Sequence, residues 1–465
     1  MAGVTRTHRP VIDRELCQQC SVCLRACPAE LLAEMRQEQD TVRGHVYRNT
    51  DLLQTEVVPP CTGACPLGQT ARDYIDLLAA GRVREALLTI RQDNPLPGVC
   101  GYVCHHPCER ACLRGSWDDP VTIRELKRYA SHYEMDHREE IVGALMDQKQ
   151  PSKGRKVVIV GAGPAGLACA SEIVMQGYEV NLVDALPQPG GMLRVGVPPF
   201  RLPRNVLDHD VSVVQSLGVN FVNGISLDNE QTLHSWIRKG TEAVVLTLGT
   251  HQGLPLDIPG EGADGYVSCL HFLRSVNTGD RVQLSGNVWV IGGGYAAIDA
   301  ARTALRVGSE KVTIAYRRSQ AEMPAGPEEV QAALQEGVQI QYLLAPKSIV
   351  VRRGKIEALE LLKMELGAVD ATGRKRPIPV EGSESVEAAD WVIAAIGQRP
   401  ALPFLTRKSI SPQGTIDLDD TGQIRGYEGV FAGGDVVTGP STVVEAMASG
   451  KAAAWRVISY LEQQG

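Results

Sequence analysis

Apolar residues recur along this chain in two distinct rhythms. Tyr74, Ile75 and Leu78, then Val83, Leu87 and Ile90, fall at helical spacing on either side of Gly81. Two short helices are therefore predicted there. Asn94-Pro95 stops the second one, because proline disfavours helical geometry in the residue before it. A further helix is predicted from Thr122, with Glu125 placed to complete a capping box. From Lys156 onward the rhythm changes. Short β-branched runs at Lys156–Val160, Glu179–Asp184, Val288–Ile291 and Val312–Tyr316 alternate with helical stretches such as LACASEIVMQG and IDAARTALRVG. Strands alternating with helices predict parallel sheets in an α/β fold.

Two of these strands run into glycine turns. The first reads Gly161-Ala162-Gly163-Pro164-Ala165-Gly166, in the order strand, turn, helix. That is a dinucleotide fingerprint: one glycine makes the turn, one lets the backbone approach a pyrophosphate, and one permits close helix packing. The phosphates would sit at the helix N-terminus, where unpaired N–H groups favour anions. The next strand ends in Asp184, placed to accept hydrogen bonds from an adenosine ribose. The second turn reads Gly292-Gly293-Gly294-Tyr295-Ala296-Ala297, with Ala297 in the third glycine's place. Its following strand ends in Arg317 and Arg318 instead of an acid. Guanidinium groups there can clamp a 2′-phosphate, which predicts NADPH over NADH; a solvated surface pair is the plain alternative. Two nucleotide sites of different sign suit a flavoprotein, one holding FAD and the other delivering hydride.

Composition sharpens this picture at one place. Of 12 cysteines in 465 residues, all but Cys169 and Cys269 precede residue 113. Those two read as small buried thiols. The first group is Cys17, Cys20, Cys23 and Cys27, followed by Pro28, with the spacing of a bacterial ferredoxin run. A zinc ribbon needs two knuckles further apart. The second group is Cys61, Cys65, Cys100, Cys104, Cys108 and Cys112. The two predicted helices carry the chain out and back between Cys65 and Cys100, bringing distant thiolates together; a helical cysteine stripe without metal is the alternative. Ten thiolates satisfy two all-cysteine [4Fe–4S] clusters, and a third would need other ligands. The net charge of −7 argues against nucleic acid. No apolar run is long enough to span a membrane, and MAGVTRTHRP lacks the apolar core of a secretory signal, so a cytoplasmic location is expected.

Val430-Phe431-Ala432-Gly433-Gly434-Asp435 resembles the second FAD motif of flavoproteins, in which the Asp bonds the ribityl chain. Ser441-Thr442-Val443-Val444-Glu445 opens another helix, whose amides would face the flavin pyrimidine. The FAD fold is thus expected to be split. Thr247-Leu248-Gly249-Thr250 and Ile396-Gly397 are the two crossings into an inserted nicotinamide domain.

With CTGACP, VCGYVCHHPCERAC, PVTIRELKRYA, VGAGPAGLACA, PGGMLRVGVPPFRLP, VIGGGYAAIDAARTA, YRRSQAEMPA and FAGGDVVTGPSTVVEA, the chain resembles the glutamate synthase small-subunit family. It is similar as well to the N-terminal half of dihydropyrimidine dehydrogenase and to the large subunit of NADH-dependent ferredoxin:NADP oxidoreductase. The resemblance implies that Gly190, Gly191, Met192, Leu193 and Arg194 line an FAD site and that Arg317 and Arg318 receive the NADP phosphate. Two departures stand out. Relatives place two more cysteines just before Cys61, where this chain has Val57-Val58-Pro59-Pro60, and Lys127 occupies a position where relatives use Glu or Gln as a cluster ligand. Thioredoxin reductases share the two-nucleotide layout but need a redox CxxC, and none follows residue 112.

The expected architecture is α/β, with two Rossmann-like dinucleotide-binding domains preceded by a helical iron–sulfur domain. The segments are 1–50 ferredoxin-like, 51–150 helical iron–sulfur, 151–270 and 396–465 FAD-binding, and 271–395 NAD(P)H-binding. The expected function is electron transfer between NAD(P)H, FAD, [4Fe–4S] clusters and a partner oxidoreductase subunit or ferredoxin, in either direction, within a hetero-oligomer. Glutamate synthase small subunit is one alternative, and a non-catalytic redox sensor or scaffold another; the intact glycines argue against the latter. Hydride transfer needs no side-chain acid or base, so no catalytic residue is assigned, and His251 and His271 read as surface or packing residues.

Overall fold

The structure is a computed structural model that describes residues 59–238, 240–370 and 373–464. The cysteine run at Cys17, Cys20, Cys23 and Cys27 lies outside the described residues. The chain falls into two compact units. Of the described residues, one contains 59–94 together with His106–Asp136; the other contains Pro95–His105 and those from His137 on.

In the first unit, the helices Ala71–Ala79 and Val83–Asp93 form where the apolar spacing predicts them. Asn94 closes the second, its N–H donating to the Ile90 carbonyl at 2.9 Å. The helix Ile123–Asp136 packs on both. Thr122 supplies its first acceptor, to the Leu126 N–H at 3.1 Å, while Glu125 pairs with Arg124 and Arg128. Inside the bundle Arg91 and Glu134 form a buried bidentate pair, with bonds of 2.9 and 2.5 Å.

The second unit is built on two five-stranded parallel sheets. The first runs Val430–Ala432, Ala243–Leu246, Lys156–Val160, Glu179–Asp184, Val219–Asn223 in spatial order. The second runs Tyr266–Ser268, Trp391–Ala394, Asn287–Ile291, Lys311–Tyr316, Gln339–Tyr342. The second sheet is inserted in sequence between two neighbouring strands of the first, Ala243–Leu246 and Val430–Ala432. A two-stranded antiparallel ribbon, Gln252–Gly253 with Gln398–Arg399, marks the crossings.

Strand pleating divides the inserted core. Val288 and Val290 face helices Cys269–Asn277 and Tyr295–Arg306, whereas Trp289 and Ile291 pack on a separate antiparallel sheet. That sheet is made of Leu344–Arg352, Lys355–Val369, Lys375–Pro379 and Ser385–Ala388. The C-terminal helix Val443–Gln464 crosses the helix Pro164–Met175 closely. Gly450 makes this possible, since a Cβ there would stand 2.1 Å from the Ala165 carbonyl oxygen.

The segment Pro95–His105 belongs to this second unit, although the sequence reading puts it with the helical domain. Its short helix Pro97–Val103 packs on the helix Arg204–Ser216, where the Val99 N–H donates to the buried Asp210 carboxylate at 2.8 Å. Gly98 is what lets the two approach, because a Cβ would meet Val206 at 2.9 Å. Among the described residues no helix is long and apolar enough to cross a membrane.

Candidate functional site

The first glycine turn sits at the carboxyl end of Lys156–Val160, between Glu179–Asp184 and Ala243–Leu246. Strand order reverses at this point, and open α/β sheets bind ligands at such a crevice. A cavity opens there, lined by Gly161, Gly163, Pro164, Ala165, Asp184, Gly191, Met192, Leu193 and Gly249. The helix beginning at Pro164 has no side-chain cap, so its first N–H groups remain available to an anion. A Cβ at Gly163 would meet nothing nearer than the Gly191 Cα at 3.9 Å. This open approach to the backbone fits a pyrophosphate. Gly166 works behind the turn, where a Cβ would stand 1.8 Å from the Gly161 carbonyl oxygen.

Asp184 is 7% exposed, and its two oxygens accept from the Ala162 N–H at 2.5 Å and the Leu186 N–H at 2.7 Å. Each oxygen keeps a further lone pair, so the carboxylate staples the turn and still faces the cavity. Gly190 ties its loop to the turn by donating to the Ala162 carbonyl at 2.8 Å. Arg194 departs from its expected place. It turns away from the cavity, donating to the Pro189 carbonyl at 2.7 Å and to Asp208 at 2.5 Å.

The opposite wall comes from late in the chain and from the cysteine-bearing segment. Asp435, Ser441, Thr442, Val443 and Ala446 line it. Burial pushes the Asp435 carboxyl up, while Ser441 donates to it at 2.5 Å. Glu445 reaches back to the Thr442 N–H at 2.9 Å and its hydroxyl at 2.7 Å, opening the helix as predicted. Burial alone would raise the Glu445 pKa, but these bonds and the nearby His105 hold it below its usual value. Gly434 stands just behind, its N–H donating to Ser449 at 2.8 Å. Val103 and His105 complete this wall. Sequence reasoning missed them, since neither belongs to a nucleotide motif.

Tyr295 and Ala296, from the second glycine turn, line the same cavity. Both dinucleotide folds thus converge on one space. Gly292 has φ +146°, and a Cβ there would stand 2.2 Å from the Ala395 carbonyl oxygen; at Gly294 a Cβ would meet no protein atom within 4 Å. Ala297 is fully buried. Gly397 serves the interdomain ribbon, accepting from the Leu254 N–H at 3.0 Å, and its neighbour Gln398 lines the cavity instead. His251 also lines the cavity, and burial holds its pKa below the usual histidine value. Arg201 and Asp299, absent from the sequence reading, lie in the wall as well. Their signal was only a charged residue each within PPFRLP and AAIDAAR.

The arginine pair is split. Arg318 is 6% exposed and spends its guanidinium on the Lys375 carbonyl and on Asp370, both at 2.8 Å. Arg317 is exposed. Partial desolvation and the charges of Arg318 and Arg374 hold its pKa below the usual arginine value. The cationic end of Lys311–Tyr316 therefore offers Arg317 to an anion, while Arg318 pins the neighbouring hairpin.

Of the cysteines, Cys61, Cys65, Cys108 and Cys112 lie in the first unit, and Cys100 and Cys104 in the second. Helix Pro60–Ala64, carrying Cys61, packs on Pro107–Arg110, carrying Cys108. Burial, with a contribution from Cys112, pushes the Cys61 thiol up. None of the eight described cysteines is in a disulfide. Among the described residues no three Cys, His, Asp or Glu side chains converge on a single-ion position. A cubane spreads its thiolates over four irons, and the neighbouring thiols of the first unit fit that donor chemistry. Cys169 and Cys269 are buried as expected, at 0% and 4% exposure.

Residues 155–450 match the family model described as pyridine nucleotide-disulphide oxidoreductase. The chain belongs to this family. Residues 53–139 match a second model, dihydropyrimidine dehydrogenase domain II, 4Fe-4S cluster, so the family's FAD and NAD(P)H chemistry is joined here to an iron–sulfur domain. NADP(+)-dependent formate dehydrogenase subunit beta of Moorella thermoacetica is 40% identical over 428 residues, covering 88% of this chain and 60% of that protein. The small chain of Escherichia coli glutamate synthase [NADPH] is 34% identical over 432 residues, covering 87% of this chain and 89% of that one. Mycobacterium tuberculosis FprA in complex with NADPH shares the fold, with a TM-score of 0.56 at 19% identity over 68% of this chain and 85% of its own. This chain therefore spans less than two thirds of the formate dehydrogenase subunit.

Proposed function

We propose that this chain is the NADPH-oxidising electron-transfer arm of a larger oxidoreductase. It passes electrons through FAD to [4Fe–4S] clusters and on to a partner subunit or ferredoxin, in a cytoplasmic hetero-oligomer. The observation that carries this reading is the segment Pro97–His105. Its helix places Cys100 and Cys104 one turn apart, and its last residues, Val103 and His105, stand in the wall of the dinucleotide cavity. Cluster ligands are thereby carried on the backbone that encloses the flavin site. Bound FAD supplies the conversion of a hydride's electron pair into single electrons, as cofactor chemistry that the protein positions and tunes.

The chain's own residues hold and orient. Gly161, Gly163, Pro164, Ala165 and the helix they open receive the FAD pyrophosphate, and Asp184 the ribose. Asp435, Thr442 and Val443 close the far end, while Gly191, Met192 and Leu193 wall the middle. Gly292, Gly294, Tyr295 and Ala296 bring the nicotinamide dinucleotide to the same cavity, with Arg317 on its 2′-phosphate. The cysteines at 61, 65, 100, 104, 108 and 112 hold the first clusters, and those at 17, 20, 23 and 27 extend the relay.

Anaerobic addition of NADPH to the holoprotein tests this. The flavin absorbance is expected to bleach and the cluster electron paramagnetic resonance (EPR) signal to appear. With Cys104→Ser, the bleaching is expected to persist while the EPR signal weakens. A flavin that responds to neither NADPH nor NADH overturns the proposal.

A further inference from the structure

The interior of the cysteine-bearing unit holds two polar side chains that apolar helix packing does not call for. Tyr74, on the helix Ala71–Ala79, is 0% exposed, and Lys127, on Ile123–Asp136, is 7% exposed. The Lys127 ammonium stands 6.0 Å from the centroid of the Tyr74 ring. The Tyr74 hydroxyl is buried without a hydrogen-bond partner, a situation rare among buried polar groups and one that calls for an explanation. Phenylalanine would fill the same space without that cost. Burial pushes the Tyr74 hydroxyl up, with Lys127 opposing and Cys108, Cys65 and Cys61 adding to it, so the hydroxyl stays protonated and is a donor. A donor and a cation thus share one interior with three thiols.

We propose that the Tyr74 hydroxyl and the Lys127 ammonium cap an iron–sulfur cluster held by these cysteines and raise its reduction potential. The inference rests on the proposed reading that this unit carries a cluster, and goes beyond it by assigning two residues that tune it. Thiolates give such a cluster a negative charge, and reduction adds one electron, delivered from NADPH through the flavin, with no bond made or broken. A nearby fixed cation and a hydrogen bond to sulfur both favour the more negative, reduced state; charge and such bonds are the protein's levers on cluster potential.

The test is an EPR-monitored redox titration of the cluster-loaded protein, with iron content measured on every sample. Lys127→Met and Tyr74→Phe are each expected to shift the one-electron equilibrium about tenfold toward the oxidised cluster, a fall of about 59 mV. Lys127→Arg, which keeps the charge, should stay near the parent value. A role confined to packing would change stability and leave the potential where it was. Should Lys127→Met fail to fold, the near-isosteric Tyr74→Phe decides. Full iron content with unchanged midpoints in Tyr74→Phe and Lys127→Met overturns this inference alone. A parent protein that holds no iron in this unit overturns the reading beneath it as well.

Discussion

Arg201 donates to Asp299 at 2.9 Å and, through its second terminal nitrogen, to Glu329 at 2.9 Å. It leaves the PPFRLP loop, which follows the strand Glu179–Asp184, and ties together two helices of the inserted half, Tyr295–Arg306 and Pro327–Gln335. Its neighbour Phe200 lies under Arg302 and Arg306, which in turn pair with Glu336. Arg201 is thus the charged rivet across the cavity that both dinucleotide folds line. Removing one partner from a buried pair leaves an uncompensated charge and costs on the order of 3–5 kcal/mol. Arg201→Met is expected to lose stability at the low end of that range, read by chemical denaturation, whereas the exposed Arg352→Met should change it little.

Asp299 gives the same network a pH signature. Burial, with Glu329 adding to it and Arg201 opposing, pushes its carboxyl up to about 6. Here the folded pKa lies above the unfolded one, so the folded protein binds the proton more tightly and stability falls as pH rises through the interval between them. Relative to Asp299→Asn, the parent protein is expected to lose about 1.5 kcal/mol between roughly pH 5 and pH 7.5. Denaturant titrations at both pH values check this; a relative gain with rising pH contradicts the assignment.

Much of this architecture is written in local pattern. The strands at Lys156, Glu179, Asn287 and Lys311 and the turns at Gly161 and Gly292 are legible because glycine geometry and β-branched runs are local requirements. The helices around Gly81 are legible for the same reason. What stayed hidden depends on tertiary partners. Arg194 and Arg318 read as ligand residues by position, yet each found a carboxylate and a carbonyl within its own fold. His105 and Asp299 reach the cavity only because distant segments fold over it, and no spacing rule encodes that.

The split arginine pair makes two different mutants of neighbouring residues. Arg317→Ala removes an exposed guanidinium available to a 2′-phosphate. Its loss is expected to lower kcat/KM for NADPH by the equivalent of about 1–3 kcal/mol, the scale of a hydrogen bond to a charged group, and to leave NADH unchanged. Arg318→Ala instead removes the guanidinium that donates to Asp370 and to the Lys375 carbonyl. It should show first as lower thermal stability with both nucleotides affected alike. Steady-state kinetics with the two nucleotides separate these outcomes; equal loss for NADH and NADPH in Arg317→Ala would remove that residue from the phosphate site.

Gly292 and Gly294 offer the sharpest separation of folding from binding. At Gly292 the backbone has φ +146°, and a Cβ would stand 2.2 Å from the Ala395 carbonyl oxygen. Gly292→Ala therefore strains a backbone an L side chain rarely adopts and collides with a neighbouring loop, so soluble yield and melting temperature should fall. Gly294 caps the helix Tyr295–Arg306 in an extended conformation, φ −88° and ψ 177°, which alanine adopts freely. A Cβ there meets no protein atom within 4 Å, so Gly294→Ala should fold and melt like the parent. The space it fills is the one that a pyrophosphate at the helix N-terminus would take on the proposed reading. Its KM for NADPH should therefore rise about tenfold or more, the effect of about 1.4 kcal/mol lost from binding, while flavin content stays at the parent level. An unchanged KM in a well-folded Gly294→Ala protein would place the nicotinamide dinucleotide elsewhere on the second sheet.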